Sequence, residues 1–186
     1  MTRRRAPRVP AGPADGPDGP AGGSAAAPPA RLRPMVAADL TNVLALEREL
    51  FPDDPWTAEM FAEEIVQPPD SRLYLVAEAA AGQGREHAMA GYAGMMFLPG
   101  GSQADVLTIA VAQSCWGRGI GSALLAALLE AASDRRCAEV FLEVRKDNPR
   151  ARGLYLRRGF AEIGVRRGYY QPSGVDAIVM RKDMLR

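Results

Sequence analysis

The chain has 186 residues, 47% hydrophobic and 24% charged, which is enough for one well-buried domain and too few for two of ordinary size. A formal net charge of +1 at pH 7 offers no global field for nucleic acid or a membrane surface, and no run approaches the ~20 apolar residues of a membrane span. Cys115, Cys137 and the single His87 fit no metal-ligand spacing and no convincing nucleophilic dyad, so all three read as structural or incidental.

Residues 1 to about 29 hold seven prolines, with Val9 the only branched aliphatic side chain. Such a segment buries too little surface to offset the entropy of ordering it. Residues 1–30 are therefore expected to form a disordered tail and residues 31–186 the folded domain. The tail's arginines could touch RNA, but a solvated linker is the better reading. Arg3, Arg4 and Arg5 precede no leucine-rich stretch, so neither a secretory nor a twin-arginine signal is expected, and the cytoplasm is the expected compartment.

Order begins with a short strand at Arg31–Met35. Ala38-Asp39 is expected to cap a helix carrying Leu40, Val43, Leu44 and Leu46 at helical spacing. Phe51-Pro52-Asp53-Asp54-Pro55-Trp56 breaks it. Thr57 is a good N-cap for a second helix through Met60, Phe61 and Ile65, which Pro68-Pro69 ends. Leu73–Ala77 reads as a strand, Gly82-Gln83-Gly84 as a turn, and Met89–Phe97 as its hairpin partner. Pro99-Gly100-Gly101 returns the chain into the apolar run Val106–Val111. There follow a glycine-rich stretch, Cys115–Ser122, and a helical pattern over Ala123–Arg136 whose polar end is Ser133–Arg136. Val140–Val144 alternates as a strand. Asn148-Pro149 opens another helix, which Gly159 closes. Phe160–Val165 and Ala177–Met180 are the last strands. Strands alternating with helices, with hairpins at both ends, describe a mixed α/β sheet packed by helices.

Strand, glycine-rich turn and helix in that order make a phosphate cradle, because the first helical turn has unpaired N–H groups and glycines let an anion approach the backbone. The Gly-Lys-Ser/Thr of a Walker loop is missing, which excludes kinase and NTPase readings. The spacing Gly117, Gly119, Gly121 also departs from a dinucleotide fingerprint. Alone, the triplet is equally well a plain glycine-rich turn.

A second block, Asn148-Pro149-Arg150-Ala151-Arg152-Gly153-Leu154-Tyr155-Leu156-Arg157-Arg158-Gly159-Phe160, alters that balance. Together the two blocks resemble the GNAT acyl-CoA N-acyltransferase superfamily, whose signatures are Gln/Arg-x-x-Gly-x-Gly/Ala and Asn-x-x-Ala-x-x-Leu-Tyr-x-x-x-Gly-Phe. The second is matched throughout; the first departs at Trp116, where Gln or Arg is usual. Within the superfamily, residues 31 to about 182 are similar to the RimI-type ribosomal-protein-alanine N-acetyltransferases. This likeness rests on Pro55-Trp56-Thr57 with Phe61, Thr108–Val111, Leu142-Glu143-Val144-Arg145, Arg166-Arg167-Gly168-Tyr169-Tyr170 and Asp176–Met180.

The resemblance implies a mixed central β-sheet of about six to seven strands flanked by about four helices, and acetyl-CoA as co-substrate. It implies that Ile109, Ala110 and Val111 hold the acetyl and pantetheine end by backbone bonds. Gly117, Arg118, Gly119, Ile120, Gly121 and Ser122 would take the pyrophosphate, with Asn148 on the pantetheine arm. A free amine attacks a thioester directly, so no metal is needed, but a base and an acid must flank the reacting carbon. The resemblance places these roles on Glu143, acting through water, and Tyr155. Without it, Glu143 reads as an exposed strand glutamate and Tyr155 as a core tyrosine.

Amine chemistry bears on the acceptor. At pH 7 roughly a tenth of α-amino groups are neutral, against fewer than one lysine in about a thousand. A modest base therefore suits a protein N-terminus, and the resemblance implies the N-terminal alanine of small ribosomal-subunit protein number eighteen. Tyr169, Tyr170 and the Pro52–Thr57 loop are candidates to line its slot, or the tyrosines pack the sheet. Acetylation of lysine side chains or of a small-molecule amine is the alternative. A non-catalytic acyl-CoA-binding module is argued against by the presence of both Glu143 and Tyr155.

Overall fold

The computed structural model describes residues 30–52, 55–79 and 89–184. Residues 1–29 of the expected tail, the Gly82-Gln83-Gly84 turn, His87 and part of the Pro52–Thr57 loop lie outside the described residues. Ala30, expected as the last residue of the tail, instead opens the first strand, buried and paired with Ala79, because the backbone pairing of the sheet edge reaches one residue further than Arg31. In chain order the elements are β1 (Ala30–Pro34), a 3-10 turn (Ala37–Asp39), α1 (Leu40–Leu50), α2 (Ala58–Ile65), β2 (Arg72–Ala79), β3 (Met89–Phe97) and β4 (Gln103–Val111). A second 3-10 turn (Gln113–Cys115) leads to α3 (Ile120–Asp134), β5 (Glu139–Arg145), α4 (Pro149–Arg157), β6 (Ala161–Tyr170) and β7 (Val175–Asp183). The strands form one seven-stranded sheet in the order β1-β2-β3-β4-β5-β7-β6. All neighbours are antiparallel except β4 and β5, whose parallel crossover is made by α3.

Two apolar layers cover the sheet. On one face α3 and α4 contribute Ile120, Leu124, Leu125, Leu128, Ala151, Leu154 and Tyr155 to a core with Val140, Leu142 and Val144 of β5. On the other, Val43 and Leu46 of α1 and Phe61 of α2 pack with Tyr74, Val76 and Tyr92. Phe61 stands at the centre of an aromatic group, its ring 5.1 Å from Trp56 and 5.8 Å from Tyr92.

Several local signals act as the sequence suggests. The Thr57 hydroxyl accepts from the Met60 N–H, and the Asn148 side chain accepts from Ala151 at 3.0 Å with Pro149 following. Gly159 ends α4 at φ 83°. The cap expected at Ala38-Asp39 is different: the Asp39 side chain makes no cap bond to α1. Its carboxylate instead accepts from the Val36 N–H at 2.8 Å and from Arg33 at 2.7 Å through both oxygens, because the 3-10 turn intervenes before the helix. β6 runs five residues past its expected end at Val165, since Arg166 pairs with Ala177 and Tyr170 with Val175.

The feature that makes room for a site is at the centre of the sheet. The β4–β5 ladder consists of Gln103↔Glu139, Ala104↔Val140 and Asp105↔Phe141, and stops there. Beyond it β4 stays paired to β3 through Val111, and β5 to β7 through Arg145, so the two strands diverge. At this point β4 carries a bulge: Thr108 faces Gly94 and Val106 faces Met95, leaving Leu107 as the extra residue. The bulge reverses the strand's alternation. Ala104 and Val106 point to the α3 face, and so do Ile109 and Val111, while Leu107 and Ala110 join the α1–α2 face. Gly91 fits beside this segment only because it has no side chain, a Cβ there lying 2.4 Å from the Ala110 carbonyl oxygen.

Candidate active site

The expected strand contribution, Ile109, Ala110 and Val111, is the β4 segment beside the opening. All three are buried, paired to β3 on one edge and to no strand on the β5 side. An extended chain laid there would find main-chain donors and acceptors, as an added strand does. The Val111 carbonyl already accepts the Trp116 indole N–H at 2.8 Å. Thus the residue that departs from the first signature ties the start of the glycine-rich loop to the end of β4.

The loop has the geometry of an anion cradle. Gly117 and Gly119 have φ 78° and 77°, a region that L side chains avoid, and Gly119, which has no side chain to cap with, leads into α3. Gly117 and Arg118 are exposed, while Ile120, Gly121 and Ser122 are buried. The Ser122 hydroxyl accepts from the Arg158 guanidinium, and Arg150 lies with its guanidinium carbon 6.0 Å from the Trp116 ring centroid. Two cations of α4 and its end therefore border the cradle beside Arg118. Neither was singled out from the sequence, where they look like surface arginines of a polar helix.

Glu143 is not the exposed strand residue that its position alone permits; it is 6% exposed. Alternation in β5 turns it, with Phe141, away from the α3–α4 core that holds Val140, Leu142 and Val144. Its carboxyl is raised above the ordinary value, first by burial and also by Asp105, while Arg166 opposes the shift. The Arg166 Nη1 lies 3.2 Å from Oε1. Such a carboxylate is a better base than a solvated one.

Tyr155 stands on the other side of the sheet, carried by α4 and fully buried, with its ring 5.8 Å from Phe160. Among the described residues its hydroxyl has no hydrogen-bond partner. Burial raises its ionisation far above normal, and the neighbouring Tyr170 adds to this. Tyr170 also donates to the Glu143 carbonyl oxygen at 3.4 Å. Tyr169, half-buried, is pushed up to about 12 by burial and then by Glu143. The two tyrosines thus meet the β5 end where the strands part, edge to face at 5.2 Å.

The side chain of Asn148, 2% exposed, is occupied at least in part by its cap to Ala151. On the α1–α2 face a residue unmarked in the sequence is prominent. Glu47 is 1% exposed, accepts from the Tyr92 hydroxyl and takes the Trp56 backbone N–H at 3.0 Å, which pins the end of the α1–α2 loop to the sheet. Cys115 and Cys137 are buried and unbridged. Among the described residues no three His, Cys, Asp or Glu side chains converge as metal ligands, and no helix is long and apolar enough to cross a membrane.

Comparisons with known proteins identify the family and the fold. Residues 40–160 match the family model described as acetyltransferase (GNAT) family. The N-alpha-acetyltransferase RimI of Mycobacterium tuberculosis is 38% identical over 158 residues, covering 83% of this chain and 93% of that protein. The crystal structure of the ribosomal-protein-S18-alanine N-acetyltransferase from Escherichia coli superposes with a TM-score of 0.70 at 28% identity, over 84% of this chain and 94% of that one. The fold is shared as well by Arabidopsis thaliana NAA60, solved in complex with acetyl-CoA, at a TM-score of 0.72 and 21% identity over 83% and 98% of the two chains. The chain belongs to the acetyltransferase (GNAT) family and is an N-acetyltransferase similar to RimI.

Proposed function

We propose that the chain transfers acetyl from acetyl-CoA to the α-amine of a protein N-terminus, its foremost acceptor being the N-terminal alanine of small ribosomal-subunit protein number eighteen. The observation that carries this is the placement of a buried carboxylate and a buried phenol, unpartnered among the described residues, on opposite faces of the sheet where β4 and β5 part. Ile109, Ala110 and Val111 would hold the pantetheine amides along the open edge of β4. Gly117 to Ser122 would receive the pyrophosphate with Arg118 beside it, and Asn148 would flank the arm.

Glu143 removes a proton from the acceptor ammonium. The neutral nitrogen then bonds to the acetyl carbonyl carbon, the carbon–sulfur bond breaks, and Tyr155 donates its proton to the departing thiolate; the second proton of the nitrogen leaves as the amide forms and, relayed by solvent, restores the Tyr155 phenol. The acceptor enters from the α1–α2 face, where Glu47 fixes Trp56 and where Tyr169 and Tyr170 close the far side. The domain proposed for this work is 31–186 with Ala30 added as the start of β1, and residues 1–29 as a tail outside it, acting in the cytoplasm without nucleic acid or membrane. Mass spectrometry of peptides that differ in their first residue, incubated with acetyl-CoA, tests the reading. Acetylation of free Ala-, Ser- or Gly-starting peptides is expected. Activity confined to lysine in N-terminally blocked peptides, or to small amines, would overturn it.

A further inference from the structure

A carboxylate as buried as Glu143 is costly to leave without a cation, and in this fold the cation is Arg166. The pair is unequal: the Glu143 side chain is 8% exposed and that of Arg166 54%. Arg166 sits on β6, an edge strand exposed over its first seven residues, so its guanidinium is free to leave without disturbing the core. In the same position its guanidinium carbon is 5.4 Å from the Tyr169 ring centroid, a contact that can keep it at hand when the carboxylate is taken. The other groups facing Glu143 cannot replace it. Asp105 of β4 repels the carboxylate, Tyr169 and Tyr170 of β6 are neutral phenols, and Val179 of β7 is the uncharged residue opposite. Arg145, next but one in β5, is bound to Asp147 by two hydrogen bonds of 2.9 and 2.8 Å.

We propose that Arg166 is a displaceable counter-cation of Glu143, which yields the carboxylate to the incoming ammonium and reclaims it once acetylation has removed that charge. The inference rests on the reading of Glu143 as base. An N-terminal amine is about nine-tenths ammonium at pH 7, so one cation replaces another and the carboxylate is never left alone. The product is an uncharged amide and cannot compete with the guanidinium. Arg166 thereby separates substrate from product by charge and favours release of the acetylated chain.

The test compares wild type, Arg166→Gln and Glu143→Gln on an alanine-starting peptide, with the same peptide already acetylated as inhibitor. In Arg166→Gln the acidic limb of the kcat/KM profile is expected to move up by about one pH unit, because an opposite charge has been taken from the base. The acetylated peptide is expected to bind about threefold more tightly or better, by inhibition and by calorimetry, because apparent affinity scales with the fraction of sites left open. An unmoved limb, or unchanged affinity for the acetylated peptide, would overturn the proposal. If Glu143→Gln abolishes turnover while Arg166→Gln shows neither effect, only the role of Arg166 falls. Undiminished turnover in Glu143→Gln would remove the base reading and this inference with it.

Discussion

Replacing Tyr155 by phenylalanine should change stability and activity in opposite directions. The hydroxyl is fully buried and has no hydrogen-bond partner among the described residues, and burying such a group costs about 1–3 kcal/mol in proteins. The phenylalanine ring keeps the edge-to-face contact with Phe160 and leaves no larger cavity than one oxygen. Tyr155→Phe should therefore unfold with a free energy raised by about 1 kcal/mol, equivalent to roughly 2–4 °C in Tm for a domain of this size. Removing a general acid should at the same time lower kcat by about 10²–10⁴-fold. Urea and thermal denaturation read the first effect, and steady-state acetylation of an alanine-starting peptide reads the second. A variant destabilised by about 1 kcal/mol or more would mean that the hydroxyl is paired in the native protein. Unchanged turnover would mean that the thiolate obtains its proton elsewhere.

Asn148→Ala removes the α4 cap and should cost about 1 kcal/mol, whereas Asn148→Asp keeps the cap and should lose little stability in urea titration. A raised KM for acetyl-CoA in Asn148→Asp would then report on exchanging the side-chain amide for a carboxylate, separately from the cap. Glu47→Ala strands the buried Tyr92 hydroxyl and Trp56 N–H and should destabilise by about 2–5 kcal/mol, with a higher KM for the acceptor peptide. Glu47→Gln should lose less than half as much, by the same two measurements. The Asp39 carboxyl is held below its ordinary value, chiefly by hydrogen bonds from Arg33 and against the effect of burial. Its stabilisation is complete above the unfolded carboxylate value of about 3.9 and is lost as pH falls through the lower folded value. Arg33→Gln should therefore move the acid-unfolding midpoint upward, as followed by circular dichroism.

The parts of the fold legible in the sequence are those in which a residue acts on its own neighbourhood. Thr57, Asn148-Pro149 and Gly159 announce helix ends because caps and left-handed closures are local events, and the alternation of Val140–Val144 gives β5 and turns Glu143 to the opposite face from Leu142. What stayed hidden depends on residues brought from elsewhere. Glu47, within Leu46-Glu47-Arg48-Glu49, looks like any surface glutamate, and only the packing of α1 against β3 makes it a buried anchor. The Leu107 bulge has no glycine or proline to mark it, and the run Val106–Val111, apolar but for Thr108, is buried on both faces, so no alternation shows where the register shifts. Trp116 reads as the loss of a polar contact until its N–H is seen on the Val111 carbonyl. Asp39 was legible as a polar residue at a helix start, but its carboxylate goes to Arg33 and Val36, because a salt-bridged turn competes successfully with a simple cap.

The short seam between β4 and β5 has a mechanical consequence. Three residue pairs join two half-sheets, β1–β4 and β5-β7-β6, while the β3–β4 and β5–β7 pairings on either side are held along most of their length. The shortest ladder of the sheet therefore lies along the proposed line of reaction, and any change in the angle between the two halves would change the width of the gap. An extended ligand seated there works as a clasp, joining the backbone of one half to that of the other. Seating the donor would stiffen both walls before the acceptor arrives, so the fold favours an order of events in which the acyl donor comes first and the amine meets a gap already drawn to its working width.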